Sequence, residues 1–186
     1  AANATGDDIS VSAAGDILVR HVSAGIYLAS AADAPTILDA NGNAVAVSQF
    51  TSNGNISLDA GGRIGESAAD TAVDLVANRL TLRAVNGISG LEIAVNSLDA
   101  STTRNDIVLA DFDGALEKNA GLVLVDASVT ETTSKRSVAD ITAQGDLLVG
   151  AKGKASADTL RLTSTGGNVT VQAPDAGFGL HYTRGI

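Results

Sequence analysis

The hydrophobic pattern of this chain is a series of very short strands. The first and third residues are apolar in each of the triplets Leu80-Thr81-Leu82, Ile93-Ala94-Val95 and Ile107-Val108-Leu109. Because side chains alternate across a strand, each triplet places its two apolar residues on one face. Val85-Asn86-Gly87 and Arg104-Asn105-Asp106 lie between triplets, and Gly, Asn and Asp accept the backbone angles of tight turns. The pattern therefore predicts short strands joined by tight turns.

The same unit recurs along most of the chain. Further copies are Ile9-Ser10-Val11, Ile17-Leu18-Val19, Ile26-Tyr27-Leu28, Val45-Ala46-Val47, Ile56-Ser57-Leu58, Val123-Leu124-Val125, Leu147-Leu148-Val149, Leu160-Arg161-Leu162 and Val169-Thr170-Val171. Such self-similarity is typical of repeat architectures, in which each unit buries its apolar face against its neighbours. Longer phrases begin at Ile56, Leu80 and Ile107, and a turn of roughly 20 to 25 residues with three short walls accommodates their spacing. We predict an all-β fold, a right-handed parallel β-helix (β-solenoid) with short strands.

The residue between the two apolar positions indicates which face meets solvent. It is small, polar or amphipathic in most copies, as at Ser57, Thr81, Ala94 and Arg161, and we expect it to point outward. Four copies carry an apolar residue there instead: Leu18, Val108, Leu124 and Leu148. We expect these four to lie under a loop or to contact another molecule.

Three longer excursions interrupt the pattern, at residues 31–43, 66–73 and 128–138. We expect them to project sideways as loops, and loops on a rigid scaffold commonly carry recognition. A short helix signal at 67–78 is weakened by β-branched residues. No linker divides the chain, so residues 1–186 are interpreted as one solenoid segment. Because the segment contains no Met, we expect it to belong to a longer or assembled structure.

Composition narrows the architecture and the partners. Aromatic residues make up 3% of the chain, so the core must be narrow and filled by Val, Ile, Leu and Ala. The absence of Cys excludes a disulfide scaffold and thiolate metal sites. A formal net charge of −9 argues against nucleic acid and anionic membrane surfaces as partners. No apolar run is long enough to predict a membrane span.

Several phrases resemble a known family. They are GDILV from Gly15, GNISLDAGGRIG from Gly54, LTLRAVNGIS from Leu80, LEIAVNSLDAS from Leu91, NDIVLAD from Asn105 and GGNVTV from Gly166. In these phrases the chain resembles the β-helical repeat region of large bacterial surface adhesins of the filamentous haemagglutinin type. The resemblance implies an extracellular solenoid at the bacterial cell surface, serving as a stalk or contact surface for adhesion and biofilm. The family's amino-terminal secretion domain has no counterpart in these phrases.

One acidic turn is a candidate metal site. Asp111 and Asp113 alternate in Asp111-Phe112-Asp113-Gly114, and alternating carboxylates can converge on a hard cation. The spacing differs from that of an EF-hand, and a solvated β-turn after a strand explains the same residues. Asp111 and Asp113 are therefore candidate calcium ligands, and no other cofactor is predicted.

Catalytic constellations are weak. A polysaccharide-active β-helix enzyme would need carboxylates on one wall, beside a sugar bond or a metal, and usually aromatic platforms. The acids here occur mainly in turns, and Tyr27 and Tyr182 are the aromatic residues left for platforms. His21 and His181 are far apart, and no nucleophile elbow is present. We predict no catalytic residues and no enzyme activity.

Besides a polysaccharide-active enzyme, the sequence is compatible with two other functions. The leading hypothesis is a non-catalytic structural and adhesive segment, whose partners are neighbouring solenoid turns and a glycan or surface ligand. The alternative is a self-assembling fibre or sheath subunit, because an uncapped solenoid end exposes strand edges and apolar core that another copy could cover.

Overall fold

The computed structural model describes residues 8–24, 54–112, 121–130, 136–175 and 179–182, and the backbone of 37–38 and 44–45. This part of the chain forms sixteen β-strands and no helix. The strands are β1 (Ile9–Ala13), β2 (Ile17–Val19), β3 (Val22–Ser23), β4 (Ile37–Leu38), β5 (Ala44–Val45), β6 (Asn55–Ala60), β7 (Ile64–Glu66), β8 (Leu75–Ala84), β9 (Ile88–Thr102), β10 (Ile107–Asp111), β11 (Gly121–Val129), β12 (Val138–Ala143), β13 (Asp146–Ala157), β14 (Thr159–Ser164), β15 (Val169–Val171) and β16 (Gly179–Tyr182).

Fourteen of these strands form one sheet, and β4 and β5 form a separate antiparallel pair. All pairings in the large sheet are parallel, with each strand beside a strand from a later pass of the chain, as in the order β1-β6-β8-β9. The predicted all-β class and parallel pairing are confirmed. The architecture is consistent with a β-solenoid.

The spacing between paired residues varies along the sheet. Paired positions are 24 residues apart between β6 and β8, 18 between β8 and β9, and 21 between β12 and β14. Paired positions are 47 residues apart between β1 and β6 and 32 apart between β10 and β12. Strands separated by different lengths of chain thus still pair in register.

The core is a set of stacked aliphatic columns. Ile56 pairs with Leu80, and Leu80 pairs with Leu98, and all three are fully buried. The buried hydrophobic residues of the described chain are all Ile, Val, Leu or Ala, which confirms the predicted aliphatic filling of the core. Burying one such large side chain contributes about 1.5–3 kcal/mol.

Turn chemistry follows the sequence prediction. Gly87 and Asn105 both have positive φ, at 100° and 63°, in the two turns that the sequence marks. Gly87 N–H donates to Thr102 Oγ1 at 2.9 Å, and Asn105 Nδ2 donates to the Asn86 carbonyl at 3.2 Å. The two turns are therefore hydrogen-bonded to each other across successive passes.

Aspartates at the corners also join successive passes. Asp16 Oδ1 accepts the Arg63 N–H at 2.9 Å, and Asp106 Oδ1 accepts the Val138 N–H at 2.8 Å. In both cases the acid lies just before or at a strand and binds the residue in register on the next pass. Asp8 and Asp146 make the equivalent bonds to Asn55 and Asn168. These acids satisfy backbone donors that would otherwise lack partners.

The predicted outward positions are partly wrong. Leu18 and Val108 are exposed, as expected for outward apolar residues. In β11, however, Leu124 is 0% exposed and Val123 is 39% exposed, the reverse of the prediction. Leu122 and Leu124 point inward because they pair with Leu147 and Val149, which are also buried. In a continuous run of apolar residues, either set of alternate residues could face the core. Pairing with the neighbouring strand decides which set does.

Two further expectations need correction. Ala94 was expected to face solvent, but it is buried against Val73 and Val76, with Phe112 packed on the same small cluster. The short helix signal at 67–78 is also wrong, since residues 67–74 are irregular and β8 begins at Leu75. Parallel pairing of Leu75 with Ile93 outweighs the weak local preference.

Candidate functional site

Three carboxylates converge beside strands β7, β8 and β9. Glu66, Asp74 and Glu92 each offer an oxygen, and these oxygens lie within 4.8 Å of one another. We call Glu66, Asp74 and Glu92 the carboxylate cluster. It is the only group of three or more potential metal-ligating side chains among the described residues.

Backbone pairing positions the carboxylate cluster. Glu66 ends β7, Asp74 lies immediately before β8, and residues 67–73 between them form one of the predicted excursions. Asp74 N–H donates to the Glu92 carbonyl at 2.7 Å, and Val22 N–H donates to the Asp74 carbonyl at 2.7 Å. The excursion therefore begins and ends at acids, and the next pass supplies the third.

Hydrogen bonds hold two of the carboxylates. Glu66 Oε1 accepts the Asp70 N–H at 2.7 Å, a bond that lies within the excursion. Asp74 is 1% exposed, and its Oδ2 accepts the Glu92 N–H at 3.3 Å. Glu92 Oε2 is buried and has no hydrogen-bond partner. Buried polar atoms in proteins are nearly always paired, so this oxygen is unusual.

Burial and like charge shape the electrostatics of the cluster. Burial raises the pKa of Asp74, the backbone N–H of Glu92 opposes this rise, and the charges of Glu66 and Asp70 add to it. Burial also raises the pKa of Glu92, and the nearby Asp74 and Glu66 carboxylates raise it further.

Cations are scarce around the cluster. No lysine or arginine within the described ranges forms an ion pair with Glu66, Asp74 or Glu92. His21 is the nearest basic group on an adjoining strand connection, and its Nδ1 donates to the Val73 carbonyl at 2.9 Å. Its positive charge when protonated lowers the pKa of Asp74, but this influence is smaller than those of Glu66 and Asp70. The cluster is therefore a concentrated negative site.

A small apolar group lies next to the carboxylate cluster, where the excursion ends. Val73 precedes Asp74, and with Val76 and Ala94 it forms a small buried group beneath Phe112. This group is separate from the main core. It packs the backbone on both sides of Asp74 and the segment that follows Glu92.

The predicted calcium ligands lie elsewhere. Asp111 is buried at the end of β10, and its Oδ1 accepts the Val95 N–H at 3.1 Å. Asp113 lies outside the described residues, so a site formed by this pair stays a prediction. Tyr27 and the Tyr182 side chain also lie outside the described residues, and His181 is exposed in β16.

The sequence reasoning did not find the carboxylate cluster. Glu66 marked the start of an excursion, but Asp74 and Glu92 were not singled out. Asp74 and Glu92 are 18 residues apart, the same step that pairs Leu75 with Ile93 and Leu80 with Leu98. Knowledge of this register would have placed the two acids side by side.

Carboxylates in this arrangement suit cation binding better than acid–base chemistry. Hard divalent cations prefer carboxylate oxygens, whereas glycoside cleavage also needs a substrate platform and usually one acid and one base with distinct environments. No aromatic side chain of the described residues besides Phe112 lies beside the cluster, and Phe112 packs against Val73, Val76 and Ala94.

Comparisons with known proteins give no match: the chain resembles no protein-family model, no curated protein and no solved structure closely enough to count. Within the part of the chain that the structure describes, no helix has the length and apolar character needed to cross a membrane.

Proposed function

We propose that this chain is a rod-forming segment of an extracellular bacterial surface protein, non-catalytic, that presents a rigid surface for attachment or biofilm contacts. We further propose that its strands wind as a right-handed β-helix with roughly 20 to 25 residues per turn. The filamentous haemagglutinin-like phrases support the surface location, and the parallel sheet supports the rod.

One observation carries the proposal: segments from successive passes stack in parallel register over a continuous aliphatic core. Ile56, Leu80 and Leu98 form one such column, and Ile64, Ile88 and Ile107 form another. In such an array each unit is stabilised by its neighbours, so length can be extended without a larger core. This is the property that a stalk requires.

The outer face offers positions for lateral contact. Leu18, Gly65, Ser89 and Val108 occupy successive positions in one outward column of paired strands. Leu18 and Val108 are exposed apolar residues; of the two small residues between them, Ser89 is exposed and Gly65 is buried. A shallow strip of this kind suits a flat glycan or protein surface, which is the partner class that the proposal assigns.

A second candidate function, end-to-end self-assembly, is favoured by the outermost described strands. Val11 in β1 is 41% exposed, although its partner Leu58 is 1% exposed. At the other end Val169 and Val171 of β15 are 42% and 45% exposed, although their partners in β13 are fully buried. These positions face the column of the core, so a further parallel strand of another copy or a longer chain would cover them.

Negative-stain electron microscopy of the purified chain, at low and high protein concentration, tests both candidates. Short uniform rods at both concentrations support the stalk segment, and fibres that lengthen with concentration support self-assembly. Particles that are not elongated would contradict both.

Variants locate the end contact. Val169→Lys with Val171→Lys should abolish fibres, because buried lysines in a strand-to-strand contact are strongly disfavoured. Leu18→Lys is the matched control, since Leu18 is equally apolar and exposed but lies on the lateral face. Fibres that persist in the double variant would contradict assembly through β15. New reducing ends after incubation with acidic polysaccharides and calcium would contradict the non-catalytic assignment.

A further inference from the structure

The carboxylate cluster combines a buried, unpaired carboxylate oxygen with two neighbouring carboxylates. Corner aspartates such as Asp16 and Asp106 bind backbone N–H groups of the next pass. Glu92 Oε2 instead is shielded from water and has no hydrogen-bond donor, and one oxygen of Glu92 lies within 4.8 Å of oxygens of Glu66 and Asp74. A buried carboxylate oxygen left in this way is unfavourable unless a positive ligand completes it.

The burial of Asp74 is a second reason to expect a positive ligand at the cluster. It is almost completely buried, and the one hydrogen bond to its carboxylate among the described residues is the long 3.3 Å bond from the Glu92 N–H. The buried Asp74 carboxylate and the half-buried carboxylates of Glu66 and Glu92 lie within 4.8 Å of one another and repel, because burial reduces the screening of their charges. A protein that keeps such a group charged normally supplies a cation.

We propose that Glu66, Asp74 and Glu92 bind a calcium ion. Calcium takes six to eight oxygen ligands at about 2.3–2.6 Å, so two of its ligands can be up to about 5 Å apart. The separations in the cluster fall within this span. Magnesium holds its ligands at about 2.0–2.1 Å, so calcium is the ion whose span covers the whole 4.8 Å limit; zinc prefers nitrogen and sulfur donors.

The ion would join two passes of the chain. Glu66 and Asp74 are the two ends of the excursion at 67–73, and Glu92 belongs to β9 on the next pass. Calcium would therefore fix the ends of this lateral loop to the solenoid body. Three protein carboxylates leave the other coordination positions to water or to backbone oxygens, which is typical of weak sites with Kd of about 0.1–1 mM. This inference does not depend on the proposed function.

The test is a calcium titration of the full chain, followed by amide NMR shifts and by isothermal calorimetry. We expect the largest shifts at Glu66, Asp74, Glu92 and their sequence neighbours, with saturation. Glu92→Gln keeps the shape of the side chain but removes its charge, and should weaken calcium binding at least tenfold. Asp175→Asn is the matched control, because Asp175 is exposed on the far end of the described chain, and its binding should stay within about twofold of the parent.

Thermal unfolding gives a second readout that separates binding from folding. Calcium should raise the melting temperature of the parent and of Asp175→Asn but not that of Glu92→Gln. If Glu92→Gln fails to fold, Glu66→Gln replaces it, since Glu66 is only half-buried at a strand end. Shifts spread over many acids and unchanged in either Gln variant would mean general counterion attraction by the acidic chain, and would overturn the proposal. The absence of saturable shifts at the cluster would overturn it equally.

Discussion

Two acidic regions of the same sheet are built in opposite ways. At the first, Asp99 lies between two arginines: Arg79 Nη2 is 3.0 Å from Asp99 Oδ2, and Arg83 Nη2 is 2.7 Å from Asp99 Oδ1. At the second, Glu66, Asp74 and Glu92 face one another, and no arginine or lysine of the described residues pairs with them. Stacking of parallel strands creates both regions, because it brings side chains of successive passes together.

The difference lies in the sign of the charges that the register aligns. Arg79 and Arg83 come from β8 and Asp99 from β9, so opposite charges meet and the Asp99 carboxylate is satisfied within the chain. Arg83 also donates through Nη1 to the Asp99 carbonyl at 3.0 Å. Asp74 and Glu92 are aligned by the same pair of strands, but their charges are alike. A carboxylate that is paired with cations of the same chain stabilises the fold. A carboxylate without such partners can still bind a cation from solution.

Removing the arginines should have the largest effect. In Arg79→Met with Arg83→Met, Asp99 stays shielded and loses both cations, while the aliphatic stems are retained. We expect the free energy of unfolding to fall by about 2 kcal/mol, less than for a fully buried pair because both arginines are partly exposed. Urea unfolding followed by circular dichroism measures the loss.

Arg161→Met is the control for that experiment. Arg161 forms an exposed ion pair with Asp140 at 2.9 Å, and such pairs contribute below about 1 kcal/mol. Equal decreases in the free energy of unfolding in the control and in the double variant would mean that the two arginines stabilise Asp99 no more than an exposed ion pair does.

Neutralising the second region should have the opposite sign. Without calcium, Glu92→Gln removes repulsion from Asp74 and Glu66, and its amide can donate to a neighbouring carboxylate. We expect the variant to be more stable than the parent by about 1 kcal/mol in chelator-containing buffer. A loss of stability in the same denaturant experiment would show that the Glu92 carboxylate makes a favourable contact in the calcium-free chain.

The pH dependence should sharpen the comparison further, with a smaller effect. Because the pKa values of Asp74 and Glu92 are raised on folding, the folded chain binds these protons more tightly than the unfolded chain. Their contribution to stability is therefore most unfavourable at neutral pH, and it improves as pH falls towards their ordinary pKa values of 3.8 and 4.5. The advantage of Glu92→Gln over the parent should shrink over the same interval.

Other groups must be compared in that experiment. Asp70 lies next to the cluster in the excursion, and His21 lies next to it in the strand connection before β3; these two groups and Glu66 are present in both proteins. Burial also raises the pKa of Asp126, but this group is common to parent and variant and cancels in the difference. A stability difference that is constant from about pH 7 to pH 4 would contradict the assigned cause.

Local pattern predicted much of the fold. The alternation in Ile56-Ser57-Leu58 and Leu80-Thr81-Leu82 places Ile and Leu in the core, and the structure buries them. Gly87 and Asn105 occupy the turns where their residue types suggested them. In contrast, the apolar run around Leu124 could turn either of its two faces to the core, and only pairing with the neighbouring strand β13 decides which one is buried.

The sequence by itself determined the strand class, the aliphatic core and the turns, because these depend on residues two to four positions apart. Tertiary structure alone decided which passes lie side by side. The step of 18 residues between β8 and β9 puts Asp74 against Glu92, and it puts Asp99 against Thr81, between Arg79 and Arg83; nothing local in the chain specifies that step. It results from fitting aliphatic columns together around excursions of unequal length, and so the charged groups on the outer faces acquire their neighbours as a consequence of core packing.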